Sequence, residues 1–262
     1  MTKHYQKLLA ISFGGLIFLN LGATPNLAEM STQSNDVPAQ GLPGRRLGGG
    51  TRNPEGYIEQ MPLVALIPEN NLSITTAALP KFLFYLPVAN EIRDIEFLLY
   101  DESDKLIYET IVSVSSTAGM FNVDLAEAEG LDPLQLNQNY HWYFSIMADD
   151  RAQDLSVDGW TRRVDLTEWV QGQSSNSNLT LQLESATPLE QARLLYQEAQ
   201  LWHDAAVILE NLQQTEPDNQ SAVEEWDNLV QTVNLAELNS VPINRVPIVS
   251  VRGNSNNSSL VD

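Results

Sequence analysis

The residues best suited to chemistry lie in a glycine- and arginine-rich segment near the start of the chain. Arg45, Arg46 and Arg52 fall within eight positions, among the glycines of residues 41–50. Glycine allows backbone N–H groups to approach an anion, and arginine pairs with phosphate or carboxylate groups. The segment lacks the Gly-Lys-Ser/Thr ending of a P-loop and does not join a strand to a helix. It is therefore interpreted as a loop, which either packs locally or contacts another molecule.

A second candidate is the turn sequence Glu69-Asn70-Asn71, which lies between two predicted strands. Asparagine side chains commonly hydrogen-bond the backbone of a turn, so a tight structural connection is the simplest interpretation. Carboxylate and amide oxygens also bind Ca²⁺ or sugar hydroxyls, so a ligand contact is the alternative. The acidic stretch 149–158 offers similar oxygens, but its spacing does not match an EF-hand loop.

A third candidate is the pair Trp160 and Arg162, which follows the turn Asp158-Gly159. Residues two positions apart in a strand share a face, so the guanidinium is expected to stack on the indole. Such a pair either stabilises the surface of a sheet or forms a platform that binds a sugar or a peptide.

Motifs for catalysis and for cofactors are missing from the sequence. There is no cysteine, no Gly-x-Ser-x-Gly elbow and no His-Glu-x-x-His motif. His141 and His203 lie in a predicted strand and at a predicted helix bend, so they do not suggest a zinc cluster. We therefore expect a non-catalytic protein without a cofactor or a metal site.

The first residues indicate a cellular compartment. Residues 1–28 combine two lysines, an apolar run over 8–23 and a small residue at Ala28. This is the pattern of a cleaved secretory signal, and the apolar run is shorter than the roughly 20 residues of a membrane span. The sequence predicts an extracytoplasmic protein, periplasmic or secreted, without a stable membrane anchor after cleavage. The absence of cysteine favours a bacterial source.

The charge of the chain restricts its partners. The sequence has 34 acidic against 14 basic residues, a formal net charge of −20. Such a field repels nucleic acid, so nucleic-acid binding is excluded. The expected partner is another envelope or secreted protein, and the oligomeric state is not predicted.

Residues 61–185 alternate short apolar runs with turns, which favours an antiparallel β-sandwich. Strands are predicted at 63–67, 81–86, 95–100, 106–114, 120–125, 140–147, 160–166 and 179–183. Tyr140, which follows Leu134 by six residues, is typical of the tyrosine corner of immunoglobulin-like and fibronectin-like sandwiches.

Residues 186–243 change to a helical period and form a predicted module of about three helices. Thr187-Pro188-Leu189-Glu190 is a capping box with proline in the first turn, and Ser221 begins a second predicted box. The module is similar to a single tetratricopeptide unit, which caps the sandwich or binds a peptide. The overall prediction is an α+β protein, with a linker over 29–60 that includes the glycine- and arginine-rich loop, and a disordered tail over 244–262.

Several short motifs, taken in order, resemble the cyanobacterial family known as domain of unknown function 928. The motifs are the segment 41–52, the turn 66–71, the pair Phe84-Tyr85, the strand 140–144 and the segment 159–164. The resemblance covers roughly 41–243 and implies an extracytoplasmic protein from a cyanobacterium. It implies no activity, substrate or site residue.

The function predicted from these observations is a non-catalytic protein-interaction module of the cyanobacterial envelope. The alternative is a carbohydrate-binding or carbohydrate-processing β-sandwich that uses aromatic residues and loop carboxylates. The eight candidate contact residues are Arg45, Arg46, Arg52, Glu69, Asn70, Asn71, Trp160 and Arg162.

Overall fold

The structure is a computed structural model that describes residues 42–48, 61–240 and 244–252. The predicted signal at 1–28 and the candidate residue Arg52 lie outside these residues, as do most of the predicted linker and the end of the predicted tail. The described residues form a mixed α+β fold in which the strands come first and the helices follow, apart from one final strand. This order agrees with the sequence prediction.

Nine strands in the described part of the chain form two sheets. They are β1 (Val64–Ala65), β2 (Leu72–Thr75), β3 (Lys81–Leu86), β4 (Arg93–Tyr100), β5 (Leu106–Val114), β6 (Gly119–Asp124), β7 (Asn139–Ile146), β8 (Leu155–Arg163) and β9 (Ile248–Arg252). The smaller sheet has the order β1-β3-β6, and the larger has β2-β8-β7-β4-β5-β9. Only β2 and β8 pair in parallel, so the predicted purely antiparallel arrangement is wrong at this pair.

The described helical region has five α-helices rather than the predicted three or so. They are α1 (Leu166–Gln173), α2 (Leu179–Ser185), α3 (Pro188–Gln197), α4 (Trp202–Thr215) and α5 (Gln220–Gln231). Among the helices that the structure describes, none has the length and apolar character needed to cross a membrane.

The helix α2 replaces a predicted strand. Leu179, Leu181 and Leu183 alternate with polar residues, a pattern that favours a half-buried strand. In the structure Leu179 and Leu183 are buried, whereas Leu181 is 65% exposed. Residues four positions apart lie on the same face of a helix, so the outer two leucines reach the core and the middle one faces solvent.

Capping residues define where two of the helices begin. The predicted box before α3 is confirmed, because the Thr187 hydroxyl accepts the Glu190 N–H while the Glu190 carboxylate accepts the Thr187 N–H. The predicted cap of α5 at Ser221 is wrong. The side chain of Asn219 accepts the Ala222 N–H instead, so the helix starts before Ser221. Asparagine is among the most favourable N-cap residues.

The smaller sheet is buried on both faces. Along β3, Phe82 and Phe84 point toward the larger sheet, where their rings contact those of Phe97 and Trp142. Leu83 points the opposite way and joins a core that is shared with the helices. Because side chains alternate along a strand, the smaller sheet lies between the larger sheet and the helices. The outer face of the larger sheet carries polar and aromatic side chains.

Tyr140, near the start of β7, has the geometry predicted for a tyrosine corner. Its ring is buried, and its hydroxyl accepts a hydrogen bond from the Gln135 N–H at 2.9 Å. The bond holds the chain that enters β7 against the strand itself. Tyr140, Trp142 and Phe144 share the buried face of β7. The intervening residues His141 and Tyr143 therefore face outward.

Part of the predicted disordered tail forms regular structure. β9 pairs with β5 at one edge of the larger sheet. Just before it, Val246 is buried and donates its N–H to the Met120 carbonyl at 2.8 Å. Arg245 forms an ion pair with the buried Glu210, with Nε and Oε1 3.1 Å apart. The many asparagines and serines after residue 252 dominate the composition of the tail, which hides the apolar run that precedes them.

Candidate binding surface

Residues 42–48 form a strap that joins one strand of each sheet. The Arg45 N–H donates to the Asp158 carbonyl at 3.1 Å, and the Asp158 N–H donates back at 2.9 Å. At the other end, Leu47 forms an isolated bridge with Val64 of β1. These residues therefore pack locally through their backbone.

The turn at residues 68–71 holds the strap in place. The Asn71 side-chain amide donates to the Leu42 carbonyl at 3.2 Å and to the Gly44 carbonyl at 3.1 Å. Asn71 adopts the left-handed backbone region, with φ of 57°, which asparagine tolerates better than most residues. The Asn70 side chain accepts the Leu72 N–H at 3.1 Å. Both asparagine side chains therefore hydrogen-bond the backbone of the chain itself, as the simpler sequence interpretation predicts.

Arg46 and Glu69 link the strap to the residues that follow α5. Arg46 donates to the Val233 carbonyl at 2.6 Å and lies 3.3 Å from a Glu69 oxygen. The same Glu69 oxygen accepts the Asn234 side-chain amide at 2.6 Å. Burial lowers the pKa of Arg46, and the charge of Glu69 opposes this effect. The side chain of Arg46 is only 14% exposed, so it is not available to a partner.

Arg45 differs from its neighbour. Its side chain is exposed and has no hydrogen-bond or ion-pair partner among the residues that the structure describes. Arg45 therefore remains a candidate contact residue, whereas Arg46 is a structural one.

Trp160 stacks on His141 rather than on Arg162, so the predicted arginine stacking is wrong. The two ring centroids are 4.1 Å apart and the ring planes are nearly parallel, at 8°. His141 lies directly opposite Trp160 in the antiparallel pair β7 and β8, which brings their side chains closer than residues two apart on one strand. Arg162 instead donates from Nε to Asn139 at 2.8 Å. The indole N–H donates to the Pro43 carbonyl in the strap at 2.8 Å.

His141 is held between a carboxylate and a phenol. Its Nε2 lies 3.0 Å from Asp158 Oδ2, and its Nδ1 lies 3.2 Å from the Tyr143 hydroxyl. A carboxylate only accepts hydrogen bonds, so neutral His141 carries its proton on Nε2 and accepts the Tyr143 O–H at Nδ1. Burial is the main cause that raises the pKa of Tyr143, and the charges of Asp158, Tyr100 and Asp104 raise it further. Tyr143 therefore stays protonated and is not an activated nucleophile.

The aromatic side chains of this surface continue onto β4. The rings of Tyr100 and Tyr143 are perpendicular, at 88°, with centroids 5.8 Å apart. Tyr143 is 38% exposed. We call the four residues Trp160, His141, Tyr143 and Tyr100 the aromatic row.

The sequence points to one member of the aromatic row, Trp160, but not to the importance of the other three. The alternation of β7 does indicate that His141 and Tyr143 face away from the core. However, their contacts depend on the pairing of β7 with β4 and β8, which the sequence does not specify.

The acidic stretch 149–158 does not converge on a metal site. Asp150 caps a short 3₁₀ helix, Asp154 accepts the Ala148 N–H at 2.8 Å, and Asp158 belongs to the aromatic surface. Within residues 42–48, 61–240 and 244–252, no group of histidine and acidic side chains is arranged to hold a metal ion.

A cleft of about 250 Å³ lies where the end of β2 and the start of β3 meet the helices. His203 lines it and is almost fully buried, with Nε2 2.8 Å from the Lys81 carbonyl. Nδ1 of His203 has no partner in the described residues. Burial lowers the pKa of His203, although the charge of Asp204 raises it in part. The Asp204 carboxylate accepts hydrogen bonds from Thr75 and Thr76, so the polar groups of the cleft mainly bond to one another.

Comparison with known families identifies the chain. A model of the family described as Domain of Unknown Function (DUF928) matches residues 47–243. The chain belongs to the DUF928 family. The DUF928 match begins within the strap and includes both sheets except β9, together with all five described helices. Among curated proteins, no sequence matches this DUF928 chain.

Proposed function

We propose that this DUF928 protein is a non-catalytic extracytoplasmic binding protein that contacts another protein through the aromatic row. The observation that carries the proposal is the arrangement of Trp160, His141 and Tyr143. Their rings lie on an open sheet face and are fixed by hydrogen bonds before any partner arrives. Tyrosine and tryptophan contribute much of the binding energy at protein interfaces, and fixed side chains lose little entropy on binding.

A protein partner suits this surface better than a sugar does. A sugar needs several free hydrogen-bonding groups around an aromatic platform. Here the Trp160 N–H, the Arg162 Nε and one oxygen of Asp158 already bond to other residues. Carbohydrate binding is the second candidate, because Tyr143 is 38% exposed and its ring is apolar.

The proposal also includes the location of the protein, the type of β-sandwich and the type of helix pair. The secretory pattern over 1–28 supports export to the envelope or the medium of a cyanobacterium. The tyrosine corner at Tyr140 supports an immunoglobulin-like or fibronectin-like sandwich for the two sheets. Ala192 and Ala205, buried on α3 and α4, support a tetratricopeptide-like helix pair.

Site-specific photo-crosslinking tests the proposed function. A photoreactive phenylalanine analogue replaces Tyr143 in the full chain in its native cell, and Leu181, which is 65% exposed on α2, serves as the control position. We expect a discrete covalent adduct with a protein from position 143 and no such adduct from position 181. Equal adducts from both positions, or none from position 143, contradict the proposal. Specific glycan binding by the purified chain that Tyr143→Ala abolishes, without a protein adduct, supports the carbohydrate alternative.

A further inference from the structure

Tyr100 and Tyr143 form a right-angled aromatic corner at one end of the aromatic row. Their rings meet at 88° with centroids 5.8 Å apart. Tyr143 is 38% exposed and Tyr100 is partly exposed, so part of each side chain is accessible to solvent. The face of an aromatic ring is negative, so two perpendicular faces attract a cation placed between them.

Negative charges surround this corner. Asp104, in the turn between β4 and β5, and Asp158, on β8, both act electrostatically on the Tyr143 hydroxyl. The Asp104 carboxylate is exposed and has no hydrogen-bond or ion-pair partner among the described residues. The formal net charge of −20 for the whole chain adds a long-range attraction for cations.

We propose that the corner between Tyr100 and Tyr143 binds a cationic side chain, lysine or arginine, of the partner protein. This inference rests on the proposed function and specifies the chemistry of the contact. The two rings hold the cation through cation–π attraction, and Asp104 balances its charge. The partner therefore presents a basic patch to this acidic protein.

The corner differs from the arginine contacts elsewhere in the molecule. Arg46 forms an ion pair with Glu69, and Arg193 forms one with the buried Glu225. Each of these carboxylates therefore already has a cation from the chain itself. In the described residues, no arginine or lysine of the chain itself makes a ring contact with Tyr100 or Tyr143. The corner is thus open to an external cation.

A titration with a matched pair of small molecules tests the inference. Choline carries a trimethylammonium group, and 3,3-dimethylbutan-1-ol is its neutral isostere. Each is added to the full chain while the amide signals of β4 and β7 are followed by NMR. We expect saturable shifts around Tyr100 and Tyr143 with choline and none with the alcohol. Equal responses to both molecules, or no response to choline, overturn the inference.

Variants place the binding at the corner. Tyr143→Leu and Tyr100→Leu should each weaken choline binding about threefold or more, because each removes one ring. Tyr143→Phe keeps the ring and should retain most of the choline binding that Tyr143→Leu loses. Asp104→Asn should weaken binding, whereas Asp132→Asn, at another exposed carboxylate, should not. If a leucine variant does not fold, Tyr143→Phe and Asp104→Asn still decide, since unchanged affinity in Asp104→Asn contradicts the role of its charge.

The two proposals fail separately. A protein adduct from position 143 without choline binding rejects the cation contact and leaves the interaction surface intact. Choline binding without a protein adduct rejects the proposed function, and the corner is then a site for a small cation.

Discussion

The strap region, which is the strap at 42–48 with the turn at 68–71, and the aromatic row both contain residues that could bind a partner. They differ in how many of these side chains are already bonded within the chain. In the strap region, Arg46, Glu69 and Asn71 bond to other parts of the chain. In the aromatic row, hydrogen bonds fix the rings of Trp160, His141 and Tyr143 but leave the side chain of Tyr143 exposed. The difference shows that a sequence motif indicates a binding function only when tertiary contacts leave its side chains available.

Substitution of Gly159 should cause the largest loss of stability. This glycine follows Asp158, which bonds to the strap, and precedes Trp160 of the aromatic row. A Cβ at this position would approach Trp142 Cζ2 to 2.6 Å and Ile67 Cδ1 to 2.7 Å. Because both neighbours are buried in the core, Gly159→Ala should lower the free energy of unfolding by about 3 kcal/mol, measured by urea denaturation. Gly130→Ala, where no atom lies within 4 Å but φ is 74°, should lower it by only about 1 kcal/mol. Equal losses in the two variants contradict the proposed close packing.

Alanine substitutions of Arg46 and Arg45 compare a structural arginine with an exposed one. Arg46→Ala removes the bonds to the Val233 carbonyl and to Glu69, so the free energy of unfolding should fall by about 2 kcal/mol. Arg45→Ala should change it by less than about 0.5 kcal/mol, because the side chain is exposed and has no partner in the described residues. Thermal denaturation of both variants measures the difference, and similar losses would falsify the distinction between these adjacent residues.

His203 should make the stability depend on pH. Burial lowers its pKa in the folded protein below the unfolded value of about 6.5, so the unfolded chain takes up a proton first as the pH falls. The stabilisation is complete above about pH 6.5 and decreases as the pH falls from there toward the folded pKa. Urea denaturation between pH 7.5 and 5, values chosen to bracket about 6.5, measures the slope.

A matched pair of variants assigns that slope. His203→Gln should reduce it, since glutamine does not titrate. His141→Gln, at the other described histidine, should leave the contribution of His203 in place. A slope that survives unchanged in His203→Gln rules out the buried imidazole as its source.

Tyr143→Phe should give the smallest effect. It removes the hydroxyl that donates to His141 at 3.2 Å but keeps the exposed ring. The free energy of unfolding should fall by about 0.5 kcal/mol, because water replaces this bond at a partly exposed site. A photoreactive phenylalanine analogue placed at position 100, next to Tyr143 in the corner, should still form a protein adduct in this variant. Loss of that adduct would indicate that the Tyr143 hydroxyl itself contacts the partner.

Local signals in the sequence predict several elements well. The strand 81–86 is predicted from a short apolar run rich in aromatic residues, and the helix start at Thr187-Pro188-Leu189-Glu190 from its capping residues; both signals involve only nearby residues. The strand β2 is not predicted because it has only four residues, too few for the alternation of Leu72 and Ile74 with Ser73 and Thr75 to be recognised. The segment 179–183 was assigned wrongly because five residues do not distinguish the two periods.

The sequence alone determined the acidic character, the mixed α+β order and the capped start of α3, because composition and short-range patterns carry that information. Tertiary structure alone decided that Trp160 stacks on His141, that Tyr143 meets Tyr100, and that Arg46 bonds near the end of α5. Those contacts join residues that are distant in the chain, and the aromatic ones depend on strand pairing and register. A one-residue change of register in β7 would turn His141 and Tyr143 to the opposite face of the sheet.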